Sequence, residues 1–155
     1  MERKETAALL FDGNYNCAQS VLASYADDFG LDKDLAASLA SGFGAGIGRS
    51  SQVCGAVTGA CMVIGLRYGS KLSEESCFQE RKEKTYLLVA ELIDKFKERN
   101  GSINCRELIG YDLDDPIQYA EAKRLGIFTS HCTKYVRDSI GFTEEILNVI
   151  PDEAS

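Results

Sequence analysis

Cys54-Gly55-Ala56-Val57-Thr58-Gly59-Ala60-Cys61 is the stretch on which the reading turns. It follows a loop dense in glycine, with Gly42, Gly44, Gly46 and Gly48, and its spacing predicts a helix over about 52–68 that Gly69 stops. A thiol at such a helix start meets free backbone N–H groups and the positive end of the dipole, which favour a thiolate. Glycine inside a helix costs about 1 kcal/mol relative to alanine. Gly55, Gly59 and Gly65 therefore imply that another helix or a ligand comes close. Cys54 and Cys61 stand two turns apart, about 10 Å along the axis. A disulfide needs Cα atoms within about 7 Å, so these two cannot bridge within an intact helix.

Helical spacing continues outward in both directions. A first helix is predicted over about 5–11 and a turn at Asp12-Gly13-Asn14. A second helix to about Phe29 carries Cys17, Val21, Leu22 and Tyr25 on one face and ends at Gly30. Asp32 caps a helix bearing Leu35 and Leu39. Downstream, Ser73 opens the longest helix, which closes near Asn100-Gly101. Tyr86, Val89, Ile93 and Phe96 form its expected core stripe, with Glu80, Lys84, Glu91 and Lys95 on a solvated face. Short helices are expected over about 104–109 and 116–125, with Pro116 at a first-turn position. A last helix runs over about 130–150, with a break at Gly141. No alternating strand pattern, repeat or linker interrupts this. The expectation is one all-α domain spanning 1–155, a compact bundle of about 6–8 helices without a sheet.

Composition narrows the function classes. At 155 residues, with 45% hydrophobic side chains, the chain can bury a core without disulfide support. A net charge of -7 and no Lys/Arg stripe set nucleic acid aside. The charged start Met1-Glu2-Arg3-Lys4-Glu5 lacks a signal-peptide pattern, and no apolar run reaches the roughly 20 residues that span a bilayer. The expected location is cytoplasmic, where thiols stay reduced and cysteines serve metals, catalysis or packing.

Six cysteines, Cys17, Cys54, Cys61, Cys77, Cys105 and Cys132, are therefore the chemistry-bearing residues. None has Cys-x-x-Cys spacing, so neither a thioredoxin-type site nor a zinc ribbon is indicated. Any site gathers them from separate helices, which a bundle permits. Each also has a packing reading, since free cysteine behaves as a small hydrophobe. The glycine loop fails the dinucleotide fingerprint: from Gly42 the third glycine falls on Ile47, and from Gly44 on Arg49. It reads as backbone approaching a buried cofactor or cysteine cluster, or as a connector. His131, beside Cys132, reads as a ligand, a proton donor or a surface residue. No Ser/His/Asp constellation or carboxylate pair is assigned.

The motif Cys54-Gly55-Ala56-Val57-Thr58-Gly59 resembles that of the C_GCAxxG_C_C redox-active proteins. The likeness covers about residues 10–140. Its other three cysteines correspond to Cys17 in Asn16-Cys17-Ala18-Gln19, Cys105 in Asn104-Cys105-Arg106-Glu107 and Cys132 in His131-Cys132-Thr133-Lys134. Cys61 and Cys77 match no family cysteine. The resemblance implies a redox class without naming a reaction.

Three readings follow. In the first, Cys17, Cys54, Cys105 and Cys132 hold an iron–sulfur cluster, [2Fe–2S] favoured, and exchange single electrons with a donor or acceptor protein. In the second no metal is present, Cys54 and Cys17 are redox-active thiols, and a reversible disulfide forms. In the third the four hold structural zinc. Gly55, Gly59, Gly46 and Gly48 are the expected cofactor-side backbone. A homodimer sharing the site is compatible with the same residues.

Overall fold

The computed structural model describes residues 2–149. Among them are eight right-handed α-helices and no strand. They are α1 (Arg3–Asp12), α2 (Cys17–Tyr25), α3 (Lys33–Ala40), α4 (Gly55–Tyr68), α5 (Phe78–Asn100), α6 (Cys105–Ile109), α7 (Pro116–Arg124) and α8 (Thr133–Val149). The predicted all-α class is the observed one. Helix α4 lies at the centre, against α2, α5 and α8, while α1 lies across α2 and α8.

Local chemistry sets the helix ends. Asn16 opens α2 with a reciprocal cap: its Oδ1 accepts from Gln19 N–H at 2.9 Å, and Gln19 Oε1 accepts from Asn16 N–H at 3.0 Å. Asp32 caps α3 through Leu35 N–H, and Asp115 with Pro116 opens α7. Gly30, Gly101 and Gly110 end their segments with φ of 65°, 87° and 77°, the left-handed conformation that glycine adopts without a Cβ penalty.

The core runs through α2, α4, α5 and α8, with Leu22, Tyr25, Ile64, Leu92, Phe96, Ile140 and Ile146 fully buried. Each large aliphatic or aromatic side chain so buried contributes about 1.5–3 kcal/mol. Ser139 of α8 donates to the Ala56 carbonyl of α4 at 2.5 Å, a buried polar tie between these helices.

Several expectations need correction. The second helix stops at Tyr25, and a 3₁₀ turn carries the chain to Phe29. Helix α5 starts at Phe78 rather than Ser73, after a 3₁₀ turn. Its core stripe is Leu88, Leu92 and Phe96, four residues apart; Tyr86 is 59% exposed, and Val89 and Ile93 are half-buried. Helix α8 passes through Gly141 without a break and is preceded by a π-helical turn over Phe128–Cys132. The predicted end at Ile150 lies outside the described residues. Gly65 has open space where a Cβ would stand, so no neighbour comes close there.

Candidate functional site

Four cysteines come from four segments and reach one cavity of about 1070 Å³. Cys17 is the first residue of α2, Cys54 caps α4, Cys105 is the first residue of α6, and Cys132 ends the π-helical turn before α8. All four are buried and line the cavity together. Three of them sit at helix starts, where unpaired N–H groups and the dipole favour negative charge.

Backbone pairing places Cys54 beside Cys105. Cys54 N–H donates to Ile103 O and Cys105 N–H to Gln52 O, each at 2.7 Å. These two bonds make an isolated antiparallel bridge between Val53 and Asn104, from which α4 and α6 both depart.

Glycine places Cys17. A Cβ on Gly55 would stand 3.0 Å from Ala18 N and 3.1 Å from Cys17 Cβ; one on Gly59 would stand 2.9 Å from Ala18 O. Alanine at either position pushes α2 away from α4. The Gly-Ala-x-x-Gly spacing therefore serves close helix packing, and that packing seats Cys17 by Cys54.

The preceding loop is left-handed. Ala45, Gly46, Ile47, Gly48 and Arg49 have φ of 52°, 69°, 69°, 59° and 64°, and Ser51 follows at 57°. For the non-glycine residues this costs about 1–2 kcal/mol each, most severely for β-branched Ile47. The loop is held by Ser51, whose buried Oγ accepts from Leu113 N–H at 2.7 Å and whose carbonyl accepts from Arg106 N–H at 3.3 Å. Asn16 Nδ2 donates to Ser41 O at 2.9 Å and joins the start of α2 to the same region. Such strain persists only where surroundings enforce it, and it gathers at functional sites. Gly44, Gly46 and Gly48 present their backbone to the cavity. Gly46 also packs on Ser51 and Gln52, where a Cβ would meet Gln52 N at 2.6 Å.

The thiols are electrostatically unlike one another. Cys54 is pulled below the usual thiol range by a hydrogen bond from Cys17, aided by Ala56 and Val57 N–H and opposed by burial. Cys17 is pushed well above that range by its contacts with Cys132 and Cys54 and by burial. Cys105 is pushed up to about 12, by burial first and then by Cys54 and Cys132. Of these three thiols, Cys54 is the one whose surroundings favour the thiolate.

Two neighbours escaped the sequence reading. Tyr135 of α8 lines the cavity and donates to Leu108 O at 2.8 Å, tying α8 to α6. Asn104 pairs with Glu107 at the start of α6, echoing Asn16 and Gln19. Both pairs carry the Asn-x-x-Gln/Glu helix-start spacing, a signal present in the sequence. The other candidates lie off the cavity wall. Cys61 is half-buried, pushed up to about 11 by burial, and Cys77 donates to Glu74 O at 3.6 Å. His131 is exposed, with Nδ1 2.8 Å from Ser130 Oγ.

Two comparisons bear on this site. A family model described as "Putative redox-active protein (C_GCAxxG_C_C)" matches residues 15–146. The chain belongs to this family. An uncharacterised protein of Archaeoglobus fulgidus is 31% identical over 110 residues, covering 68% of this chain and 72% of that one. No solved structure matches.

The donor chemistry of the site suits a group that takes four thiolates. In the arrangement described, no three His, Cys, Asp or Glu side chains among the described residues form a metal-holding group. No described helix is long and apolar enough to cross a membrane.

Proposed function

We propose that this member of a redox family works through the thiol end of the cavity, and that Cys17, Cys54, Cys105 and Cys132 ligate an iron–sulfur cluster there. Convergence supports the reading. Four thiols from segments spread between positions 17 and 132 line one cavity, while Cys61 and Cys77 do not. A lone disulfide uses two of the four and leaves the others unexplained. Bound at these thiols, a cluster supplies one-electron transfer. The chain's own part is to exclude water, supply N–H groups from the starts of α2 and α4, and keep α2 and α4 close through Gly55 and Gly59. Hydrogen bonds to cluster sulfurs and burial are the levers that set its potential.

The contact between Cys17 and Cys54 favours one other reading, a dithiol protein. The Cys54 thiolate attacks a disulfide on a partner, forming a mixed disulfide and releasing one partner thiolate. The Cys17 thiol, losing its proton, then displaces the second, so two protein thiols become one disulfide as the partner is reduced. Zinc at the same four thiols is a structural alternative without electron transfer.

Anaerobic purification with visible absorbance, iron, sulfide and zinc analysis separates these. The cluster reading predicts matched iron and sulfide. It also predicts loss of colour on serine substitution of any of the four cysteines, and retention in Cys61→Ser and Cys77→Ser. Protein that stays colourless and iron-free after reconstitution with iron and sulfide overturns it. Two thiols that become alkylatable only on reduction then establish the dithiol reading.

A further inference from the structure

The cavity is larger than four sulfurs require. At about 1070 Å³ it lies just above the usual range for small-molecule sites, about 300–1,000 Å³. Its inner end is the buried thiols, and its outer end opens among exposed Arg49 and Lys123.

The charge at this outer end runs against the rest of the molecule. The chain carries a net -7, yet the cavity wall bears two cations, Arg49 and Lys123, against one carboxylate, Asp12. Asp12 already lies in the field of Arg137. Among the described residues neither Arg49 nor Lys123 joins a carboxylate in an ion pair. The guanidinium of Arg49 instead stacks 4.0 Å over the Tyr119 ring, and its Nη2 donates to the Tyr119 hydroxyl at 3.0 Å. That leaves its other N–H donors available, held in place by a left-handed backbone at φ 64°. Tyr119 in turn packs on Phe128, ring centroids 6.0 Å apart, giving the cavity an aromatic wall beside its cations.

An apolar chamber with an aromatic wall and two cations free of carboxylate partners recognises one chemistry. We propose that the outer cavity binds a small organic anion, bearing a carboxylate or phosphate on a flat apolar body, with Arg49 and Lys123 on the anionic group and Tyr119 and Phe128 on the body. Such a molecule has direct access to the thiol end. Its fate there rests on the redox reading above, whereas its binding does not.

The test uses the purified protein as it stands, with three probes: 1-naphthoate, 1-naphthyl phosphate and the uncharged 1-naphthamide. Equilibrium dialysis gives dissociation constants, and saturation-transfer NMR shows which ring protons touch protein. At least one anion is expected to bind about tenfold or more tightly than the amide, and to weaken as salt rises. The double variant Arg49→Gln/Lys123→Gln is expected to remove that advantage while leaving amide binding unchanged. A second variant, Lys97→Gln/Arg99→Gln, removes the same charge from α5, off the cavity wall, and is expected to bind as the wild type. Anions binding no better than the amide, or equal losses in both double variants, overturn the proposal. Iron and sulfide content of the same preparation reports separately on the redox reading.

Discussion

Alanine at Gly59 and alanine at Gly65 are one chemical change made twice on α4, and the structure predicts outcomes of opposite sign. Glycine to alanine inside a helix gains about 1 kcal/mol in propensity. At Gly65 a Cβ meets nothing within 4 Å, so that gain is expected in full. At Gly59 the Cβ lands 2.9 Å from Ala18 O, 3.1 Å from Val21 Cβ and 3.2 Å from Ala18 Cα. Two of these three atoms are backbone, so no rotamer change relieves the contact, and α2 must retreat by several tenths of an ångström. Overpacking of this kind costs about 1–3 kcal/mol. The net for Gly59→Ala lies between no change and a loss of about 2 kcal/mol, which separates the two variants by about 1–3 kcal/mol. Urea unfolding followed by far-ultraviolet circular dichroism measures this, with thiols reduced and a chelator present so that no bound group adds to stability. With a slope of about 2 kcal/mol per molar urea, the two midpoints stand roughly 0.5–1.5 M apart. The site supplies a second readout. Cys17 begins α2, so the retreat carries it from Cys54 and lowers cluster yield in Gly59→Ala but not in Gly65→Ala. Equal stabilisation by both alanines would refute the packing of α2 on this face of α4.

Tyr135→Phe leaves the Leu108 carbonyl without its buried donor, and a loss of about 1 kcal/mol is expected in the same unfolding assay. An unchanged midpoint would mean that the tie between α8 and α6 contributes nothing. Cys61, held up to about 11 by burial, is mostly protonated at neutral pH. Its thiolate fraction, and with it the rate of alkylation by iodoacetamide, should rise about tenfold per unit between about pH 8 and pH 10. Peptide mapping that finds a flat rate at Cys61 contradicts this.

How far the sequence carried can be read from particular residues. Gly69, Asp32 and Pro116 marked real helix ends, and Gly30 the end of the 3₁₀ turn after α2, because capping is a local affair, settled by a residue and its near neighbours. Of the expected α5 stripe, Phe96 is fully buried and Val89 and Ile93 pack at the edge of the core, whereas Tyr86 is exposed. Lys82 approaches its ring within 5.9 Å instead, and the buried series starts at Leu88. Nothing local distinguishes an aromatic that faces a partner from one that does not. The four site cysteines were separated from Cys61 and Cys77 by the resemblance to the family's cysteine pattern, since spacing alone left each with a packing reading. Their gathering at one site was expected; the bridge between Val53 and Asn104, far apart in the chain, that sets Cys54 beside Cys105 was not. Nor was the handedness of the glycine loop legible. Glycines announce freedom at their own positions, whereas Ala45, Ile47, Arg49 and Ser51 are driven into left-handed backbone by what surrounds them.

The bridge between Val53 and Asn104 also divides the molecule into parts that answer to different constraints. Helices α4 and α5 make a long hairpin clasped at its root by two hydrogen bonds, with the cysteines at the clasp and residues 69–77 at the far tip. At 1.5 Å per residue α4 reaches about 21 Å beyond the clasp before the chain turns back. Apart from Cys77, length, charge and sequence at that tip are therefore free to drift, or to accept an inserted segment, without disturbing any of the four thiols that line the cavity. Near the clasp, the extra methyl of one alanine is enough to move Cys17.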